Sequence, residues 1–151
     1  MGTIDEDMRR VVEEQRLGFA ATVCPDATPN LSPKGTTAVW DDERIVFADI
    51  RSPRTVENLR HNPAIEINVV DPILRKGYRF KGTGTVLTEG PMFDEVLAFY
   101  GGRGLVHEIR SAVLVKVERA EPLTSPAYDH GASEEEVRER WERHYQALDR
   151  G

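Results

Sequence analysis

The chain has 151 residues, of which 39% are hydrophobic and 30% charged, and its formal net charge is −6. This composition is typical of a globular protein, and the apolar runs are too short for a membrane-spanning helix. An acidic chain also lacks the general positive charge with which nucleic-acid-binding proteins contact phosphates, so neither a nucleic-acid nor a membrane partner is expected.

Cysteine content and the N-terminal residues predict the compartment. Cys24 is the one cysteine, which excludes an internal disulfide and suits a reducing environment. No N-terminal apolar segment with a cleavage site is visible. We therefore expect a cytoplasmic protein folded as a single domain over residues 1–151.

Helices are predicted at both ends of the chain and between strands. Capping-box signatures and apolar faces at helical spacing predict an N-terminal helix at about 4–16, opened by Thr3, and a C-terminal helix at about 133–149. Two shorter helices are predicted inside the chain, one starting at Pro53 and one at Pro91, because proline suits the first helical position. Residues 119–132 are expected to be irregular.

Six strands are predicted between the terminal helices. The clearest is 64–70, where Ile65, Ile67 and Val69 alternate with polar residues. The second strand is expected to be interrupted at 32–35, where a proline and a glycine favour a bulge or an edge position. The six segments are 19–23, 30–40, 44–48, 64–70, 78–87 and 112–117.

This order of elements favours a mainly β fold with flanking helices. Six strands with hairpin-length turns and glycines at 82 and 84, which suggest a sharp bend, are typical of a closed or nearly closed barrel over about 18–118. The alternative is an open α+β sheet with helices on one face.

The corner between the third strand and the following helix is the strongest candidate site. Ser52 is a good N-cap, and the helix start offers free backbone N–H groups and the positive end of the helix dipole. Arg51 and Arg54 flank this start, and the Thr55 hydroxyl lies nearby in sequence. The corner can therefore hold a phosphate; the alternative is an ordinary capped helix with two solvated arginines.

Several segments, taken in order and spacing, resemble the pyridoxamine 5'-phosphate oxidase-like family of FMN-binding split barrels. The match covers roughly residues 17–118. The segments that carry it are AATV at 20–23, Pro29, SPKGT at 32–36, VFAD at 46–49, RSPRTVENL at 51–59, NP at 62–63 and RKGYRFKG at 75–82. The resemblance implies a six-stranded split β-barrel that forms a homodimer, with FMN in clefts at the interface.

The resemblance also implies cofactor-binding roles for fourteen residues. Three would lie along the flavin ring and ribityl chain: Ser32, Lys34 and Gly35. Three would edge the isoalloxazine with their backbone: Ala48, Asp49 and Ile50. Four would bind the phosphate: Arg51, Ser52, Arg54 and Thr55. Asn58 would support the phosphate-binding loop. Three basic residues would lie near the cofactor: Lys76, Arg79 and Lys81.

Two departures from the family pattern narrow the expected function. Many members have a Ser-x-Lys pattern where this chain has Pro53 and Thr55, so arginines would replace a lysine at the phosphate. True pyridoxamine-phosphate oxidases end in a segment with arginine and histidine that binds the substrate phosphate, whereas this chain ends in an acidic amphipathic helix. Oxidation of pyridoxamine phosphate is therefore not expected.

The function implied by the resemblance is an FMN-dependent oxidoreductase that passes hydride from NAD(P)H or another donor to a small substrate. No catalytic residue is identified, because a flavin carries the redox chemistry itself. The alternatives are a flavin carrier or sensor without turnover, a split barrel that binds F420 or haem instead of FMN, and a dimeric scaffold that has lost its cofactor. No metal site is expected, because the four histidines are scattered without ligand spacing.

Overall fold

The computed structural model of the chain describes residues 2–51 and 53–149. Within them it has five helices and seven strands, in this order: α1 (Glu6–Gln15), β1 (Gly18–Val23), β2 (Pro29–Lys34), β3 (Ala38–Val39), β4 (Arg44–Asp49), α2 (Pro53–His61), β5 (Ala64–Asp71), β6 (Lys76–Leu87), α3 (Pro91–Gly102), β7 (Ser111–Thr124), α4 (Pro126–Asp129) and α5 (Glu134–Leu148). Within the described part, no helix combines the length and apolar character needed to cross a bilayer.

All seven strands belong to one antiparallel sheet in the order β2-β1-β5-β6-β7-β4-β3. The two edge strands, β2 and β3, are joined by residues 35–37 alone. Because such a short connection keeps the edges close together, the sheet must curl into a barrel that is split between β2 and β3. The expected class, a mainly β split barrel with flanking helices, is confirmed, with seven strands in the described residues instead of six.

The extra strand arises where the sequence predicted one long strand at 30–40. Pro33 and Gly35 lie at this point, and the chain turns between Lys34 and Ala38. The Thr37 hydroxyl donates to the Lys34 carbonyl at 2.7 Å, and the Thr37 amide donates to the same oxygen at 3.3 Å. The side chain thus stabilises a turn that ends β2 and starts β3. The expected edge position is confirmed, since β2 and β3 are the two edges of the sheet, whereas the interruption is a turn and not a bulge.

The barrel interior is filled by the inward side of each strand. In β5 the alternation that the sequence predicted is confirmed, since Ile65, Ile67 and Val69 are buried. Phe47 from β4 and Phe80 from β6 are fully buried in the same core. A second core cluster, which includes Val46, packs α3 against the outer side of β4 and β7.

The glycines predicted to mark a bend lie in β6, and the pairing of β6 with β7 shifts register between Lys81 and Gly82. A Cβ atom on Gly82 would lie 1.8 Å from the Lys116 carbonyl oxygen. This distance is far below any normal contact, so the irregular pairing requires glycine at this position.

Two predicted boundaries are wrong. β7 continues to Thr124, because its pairing with β6 extends to the Lys76–Thr124 pair, so much of the segment expected to be irregular is strand. The cap of α1 is Asp5 and not Thr3, since an Asp5 carboxylate oxygen accepts from the Met8 amide at 2.8 Å. By contrast, Ser133 caps α5 as expected, accepting from the Glu136 amide at 3.1 Å.

The C-terminal segment packs against the turn between β5 and β6. The Tyr128 hydroxyl donates to the Leu74 carbonyl at 2.5 Å, and the Arg75 guanidinium stacks on the Trp141 ring at 3.5 Å from its centroid. Only Val137 of α5 is buried, and Tyr145 remains 43% exposed. α5 therefore packs on the barrel through its N-terminal half.

Tyr78 gives the fold a measurable pH dependence. Its hydroxyl donates to the Asp7 carboxylate, and this hydrogen bond, together with partial burial, raises the pKa of Tyr78 to about 12. A tyrosine in the unfolded chain ionises near pH 10, so this stabilising contribution is complete below about pH 10 and is lost as the pH rises through about 12. Urea unfolding of wild type and Tyr78→Phe should therefore show a stability difference that shrinks between these values; a constant difference would contradict the assignment.

Candidate functional site

A surface cavity of ≈ 470 Å³ lies where β4 passes into α2, and we call it the corner cavity. One wall comes from β2 and the other from the start of α2. Its lining residues are Asn30, Leu31, Ser32, Arg51, Pro53, Arg54, Thr55 and Glu57. The structure thus brings together four of the predicted cofactor-binding residues from two distant parts of the chain; Ser52 lies outside the described residues.

Arg51 and Arg54 give the corner cavity its positive charge. Both side chains are exposed, and neither forms an ion pair within 4.0 Å with a described residue. Arginine presents a planar set of N–H donors that matches a phosphate. The two guanidinium groups can therefore bind an anion without first breaking a salt bridge among these residues.

Thr55 adds an unsatisfied polar atom to the same cavity. The residue is 1% exposed, and its Oγ1 has no hydrogen-bond partner among the described residues. Buried hydroxyl groups are normally hydrogen-bonded, because an unpaired one costs about 1–3 kcal/mol. An oxygen-rich ligand in the corner cavity would supply the missing partner.

Asn58 holds α2 in place beneath the cavity. It is 2% exposed, and its Nδ2 donates to the Thr22 hydroxyl at 3.1 Å and approaches Cys24 Sγ at 3.5 Å. The amide therefore connects the helix to β1, and its role in supporting a phosphate-binding loop stays a prediction.

We expect Asn58→Ala to destabilise the protein by about 1–3 kcal/mol, because it leaves the buried Thr22 hydroxyl without its donor. In the Asn58→Ala and Thr22→Val double variant the two losses should not add, since one mutation has already removed the shared bond. Urea unfolding of the four proteins gives the coupling energy. Strict additivity would show that the bond contributes nothing.

Lys34 is a buried cation at the end of β2, the strand that forms one wall of the corner cavity. The residue is 5% exposed, and its Nζ lies 5.7 Å from the centroid of the Phe47 ring. Burial lowers the pKa of Lys34, and the charge of Asp49 opposes that shift. Asp49 is itself held by the Ser111 hydroxyl, which donates to its carboxylate at 3.1 Å.

The backbone at the end of β4 is fixed by two residues, Thr36 and Tyr100, that were not among the predicted cofactor-binding residues. The Ala48 amide donates to the Thr36 hydroxyl at 2.9 Å, and the Tyr100 hydroxyl donates to the Thr36 carbonyl at 2.7 Å. Burial raises the pKa of Tyr100, so its hydroxyl remains a donor. Because Thr36 belongs to the β2–β3 turn, these hydrogen bonds hold that turn against the end of β4.

A further cavity of ≈ 570 Å³, which we call the second cavity, lies on the other side of Arg51 and Pro53. Its remaining lining residues are Ile50, His107, Glu108 and Arg110. The segment before β7 reaches this place because β7 pairs with β4, so that Ser111 lies opposite Asp49. No sequence motif signals this approach, since it depends on the strand register.

None of the predicted basic residues Lys76, Arg79 and Lys81 lines the corner cavity or the second cavity. Lys76 pairs with Glu134 at 2.8 Å, which raises the pKa of Lys76 through their hydrogen bond. Arg79 and Lys81 pair with Glu66 at 3.1 and 3.6 Å. Their proposed role near a cofactor stays a prediction.

No group of three or more histidine, cysteine or acidic residues that could hold a metal occurs in the described part of the chain.

Comparison with known proteins adds the following matches. The family model for pyridoxamine 5'-phosphate oxidase matches residues 4–124. HupZ of Group A Streptococcus is 32% identical, with a TM-score of 0.73, over 81% of this chain and 95% of that chain. No curated protein matches the chain.

Two more distant structures share the fold. An F420 reductase is 20% identical, with a TM-score of 0.61, over 78% of this chain and 98% of that chain. An FMN-binding protein of Syntrophomonas wolfei is 17% identical, with a TM-score of 0.65, over 80% of this chain and 86% of that chain.

Proposed function

Because the chain belongs to the pyridoxamine 5'-phosphate oxidase family, as the match over residues 4–124 establishes, we propose that it is an FMN-binding oxidoreductase. In this proposal a reduced nicotinamide is a candidate donor and the substrate is a small molecule. The distant FMN-binding neighbour supports the choice of cofactor. FMN supplies hydride and electron transfer between a donor and an electrophilic acceptor.

The observation that carries the proposal is the corner cavity. It joins two guanidinium groups, the unsatisfied Thr55 Oγ1 and the start of α2 in one place. A phosphate monoester has the negative charge and the oxygen acceptors that these groups require, and a helix start favours anions. The residues present therefore fit the phosphate of FMN, with Arg51, Arg54 and Thr55 as its ligands.

The neighbouring residues have roles that follow from their positions. Ser32, which shares the corner cavity, can donate a hydroxyl hydrogen bond to the cofactor. Lys34, at the end of the strand that forms one wall of the cavity, supplies a desolvated positive charge that can stabilise negative charge on a bound ring. Thr36 and Tyr100 keep the end of β4 rigid, which fixes the edge against which a flat ring would lie.

We also propose that two copies of the chain form a homodimer that covers the corner cavity. Leu31 lines the cavity and is 65% exposed, and Phe19 on the adjacent strand is 40% exposed. Large apolar side chains exposed on adjacent strands are typical of a surface that a partner covers. A partner subunit at this face would bury both side chains and exclude water from the cofactor.

F420 is a second candidate cofactor. It is favoured by the F420 reductase among the structural neighbours, and it also carries a phosphate for the two arginines. Activity on pyridoxamine phosphate is not proposed, because the first turn of α5 presents acidic side chains, Glu134, Glu135 and Glu136, which would repel a phosphate.

The absorbance spectrum of the purified protein tests the proposal. We expect a yellow protein that releases FMN on heating, and anaerobic NADH or NADPH should bleach the bound flavin. Retained flavin without bleaching would favour a carrier, whereas a colourless protein that binds added F420 would favour the second candidate. A Soret band would show haem instead.

Sedimentation of the purified protein tests the dimer. We expect a measured mass of twice the 17.0 kDa of one chain, and a monomer at micromolar concentration would refute the dimer.

A further inference from the structure

A cavity of ≈ 420 Å³, which we call the third cavity, lies at the opposite end of β7 from the corner cavity. Ser111, the first residue of β7, pairs with the end of β4. Thr124, the last residue of β7, pairs with Lys76 at the start of β6 and lines the third cavity, which α1 and α5 close from outside the sheet. Small-molecule sites have volumes of about 300–1,000 Å³, so the third cavity is large enough to hold a ligand.

The charged residues in the wall of the third cavity leave one charge of each sign without an ion-pair partner. Three acids and three bases line the cavity: Asp7, Asp71 and Glu134, and Arg10, Lys76 and Arg138. Arg10 pairs with Asp7 at 2.7 Å. Lys76 pairs with Glu134 at 2.8 Å. The two charges that remain, on Asp71 and Arg138, are opposite in sign.

Asp71 supplies the remaining negative charge. Its Oδ1 accepts hydrogen bonds from the Ile73 amide at 2.8 Å and from the Leu74 amide at 3.1 Å, which fixes the carboxylate at the start of the β5–β6 turn. No basic side chain of the described residues lies within 4.0 Å of this carboxylate. Backbone amides orient the group but carry no full charge, so a cationic ligand would gain a strong hydrogen bond here.

Arg138 supplies the remaining positive charge. Its Nη1 lies 3.9 Å from the Glu142 carboxylate, beyond hydrogen-bond distance, and its side chain is 50% exposed. The helix that carries it is held on both sides, at Glu134 by the ion pair with β6 and at Trp141 by the stacked arginine of the β5–β6 turn. The guanidinium therefore has free donors at a fixed place in the cavity wall.

Apolar side chains complete the wall of the third cavity. Val11 of α1, Leu74 of the β5–β6 turn and Leu123 of β7 all line it. Val11 is 6% exposed, so this part of the wall is continuous with the main core cluster. An apolar group of a ligand would lose its contact with water against these side chains, while the two charges fix the orientation of the ligand.

We propose that the third cavity binds a small zwitterion with an apolar side chain, which is either an amino acid or a short peptide. Asp71 accepts hydrogen bonds from the ammonium group of the ligand, and Arg138 donates to its carboxylate. Val11 and Leu74 contact its side chain. A ligand with both charges matches both protein charges, whereas an anion or a cation alone leaves one of them unmatched. The inference goes beyond the proposed function, because the corner cavity lies at the other end of β7.

Calorimetry of the full-length protein tests the proposal, with L-leucine and L-leucyl-L-leucine as probes. Each probe is compared with two analogues of nearly the same shape, one without the amino group and one with the carboxylate converted to an amide. At about pH 6.5 the amine of these compounds is protonated. We expect each analogue to bind at least about tenfold more weakly than its probe, because it loses one charge-assisted contact. The tighter of the two probes identifies an amino acid or a peptide as the ligand class.

Two variants separate the contacts. Asp71→Asn removes the charge, while the side-chain oxygen can still accept from the two backbone amides, so the turn is kept. It should weaken the bound probe about tenfold and leave the analogue without an amino group within about twofold. Arg138→Gln should likewise weaken the probe and spare the amide analogue. The matched control is Arg143→Gln, an exposed arginine of α5 that does not line the third cavity and should change no affinity.

The outcomes separate this inference from the proposed function. Failure of both probes to bind at millimolar concentration would overturn the inference, and so would equal affinity for a bound probe and its two analogues. A variant that weakened the probe and both analogues alike would also overturn it, because the residue would then act only on the structure. The measurement uses neither FMN nor turnover, so a wild type that fails to bind FMN would refute the proposed function and leave this result intact.

Discussion

Replacing both Arg51 and Arg54 with alanine should weaken FMN binding by about 2–4 kcal/mol, or roughly 30- to 900-fold. The two guanidinium groups are the cations that line the corner cavity, and neither has an ion pair within 4.0 Å among the described residues. Their removal therefore takes away charge-assisted hydrogen bonds to the phosphate without disrupting a network. Titration of the apoprotein with FMN, followed by the quenching of flavin fluorescence, measures the loss.

The same helix provides a matched control. Arg60 is exposed in the last turn of α2 and does not line the corner cavity. Arg60→Ala should therefore change the affinity by about twofold or less. If the double variant bound FMN as tightly as wild type, Arg51 and Arg54 would not be phosphate ligands. Unfolding midpoints should be similar for all three proteins, because the replaced side chains are exposed.

Phe47→Ala should reduce the free energy of unfolding by about 3–5 kcal/mol. Phe47 is fully buried in β4 and belongs to the main core cluster, so truncation removes apolar contacts and leaves a cavity. The whole protein is expected to have a stability of only about 5–15 kcal/mol. Urea unfolding followed by tryptophan fluorescence measures the difference.

Two further variants show whether the effect of Phe47→Ala comes from the core. Phe47→Leu keeps most of the volume and should cost less than half as much, about 1–2 kcal/mol. Val106 is 89% exposed, so Val106→Ala should change stability by about 0.5 kcal/mol or less. A loss below about 1 kcal/mol for Phe47→Ala would show that the barrel interior is not packed as described.

Local patterns in the sequence were sufficient for elements that depend on neighbouring residues. The alternation in β5 and the capped start of α5 were both predicted, because side-chain periodicity and N-capping act within a few residues. The start of α2 at Pro53 follows from the same local chemistry.

Predictions were wrong where distant pairing overrides local preference. β7 extends through Pro122 to Thr124 because its partner β6 is long enough to pair with it. The second predicted strand divides into β2 and β3 because β2 pairs with β1 while β3 pairs with β4 at the opposite edge of the sheet. Neither result could be obtained from composition or periodicity, since each depends on the position of a particular partner group.

The candidate site shows the same division between local and distant information. The sequence identified Arg51, Arg54 and Thr55 as neighbours, and their shared cavity follows from one helix start. It did not indicate that Arg110 would lie near Asp49, which requires the antiparallel register of β4 and β7. Lys76, which the resemblance places near a cofactor, pairs with Glu134 on α5, and its role at the site stays a prediction.

The sequence by itself determined the mainly β character, the terminal helices and the charged corner before α2, because these depend on side-chain chemistry over one or two turns of chain. Only the tertiary structure decided which cations share a cavity and which are neutralised by ion pairs. The physical reason is that strand register brings together residues far apart in the sequence, such as Asp49 and Ser111, and register depends on the complete set of pairings in the sheet.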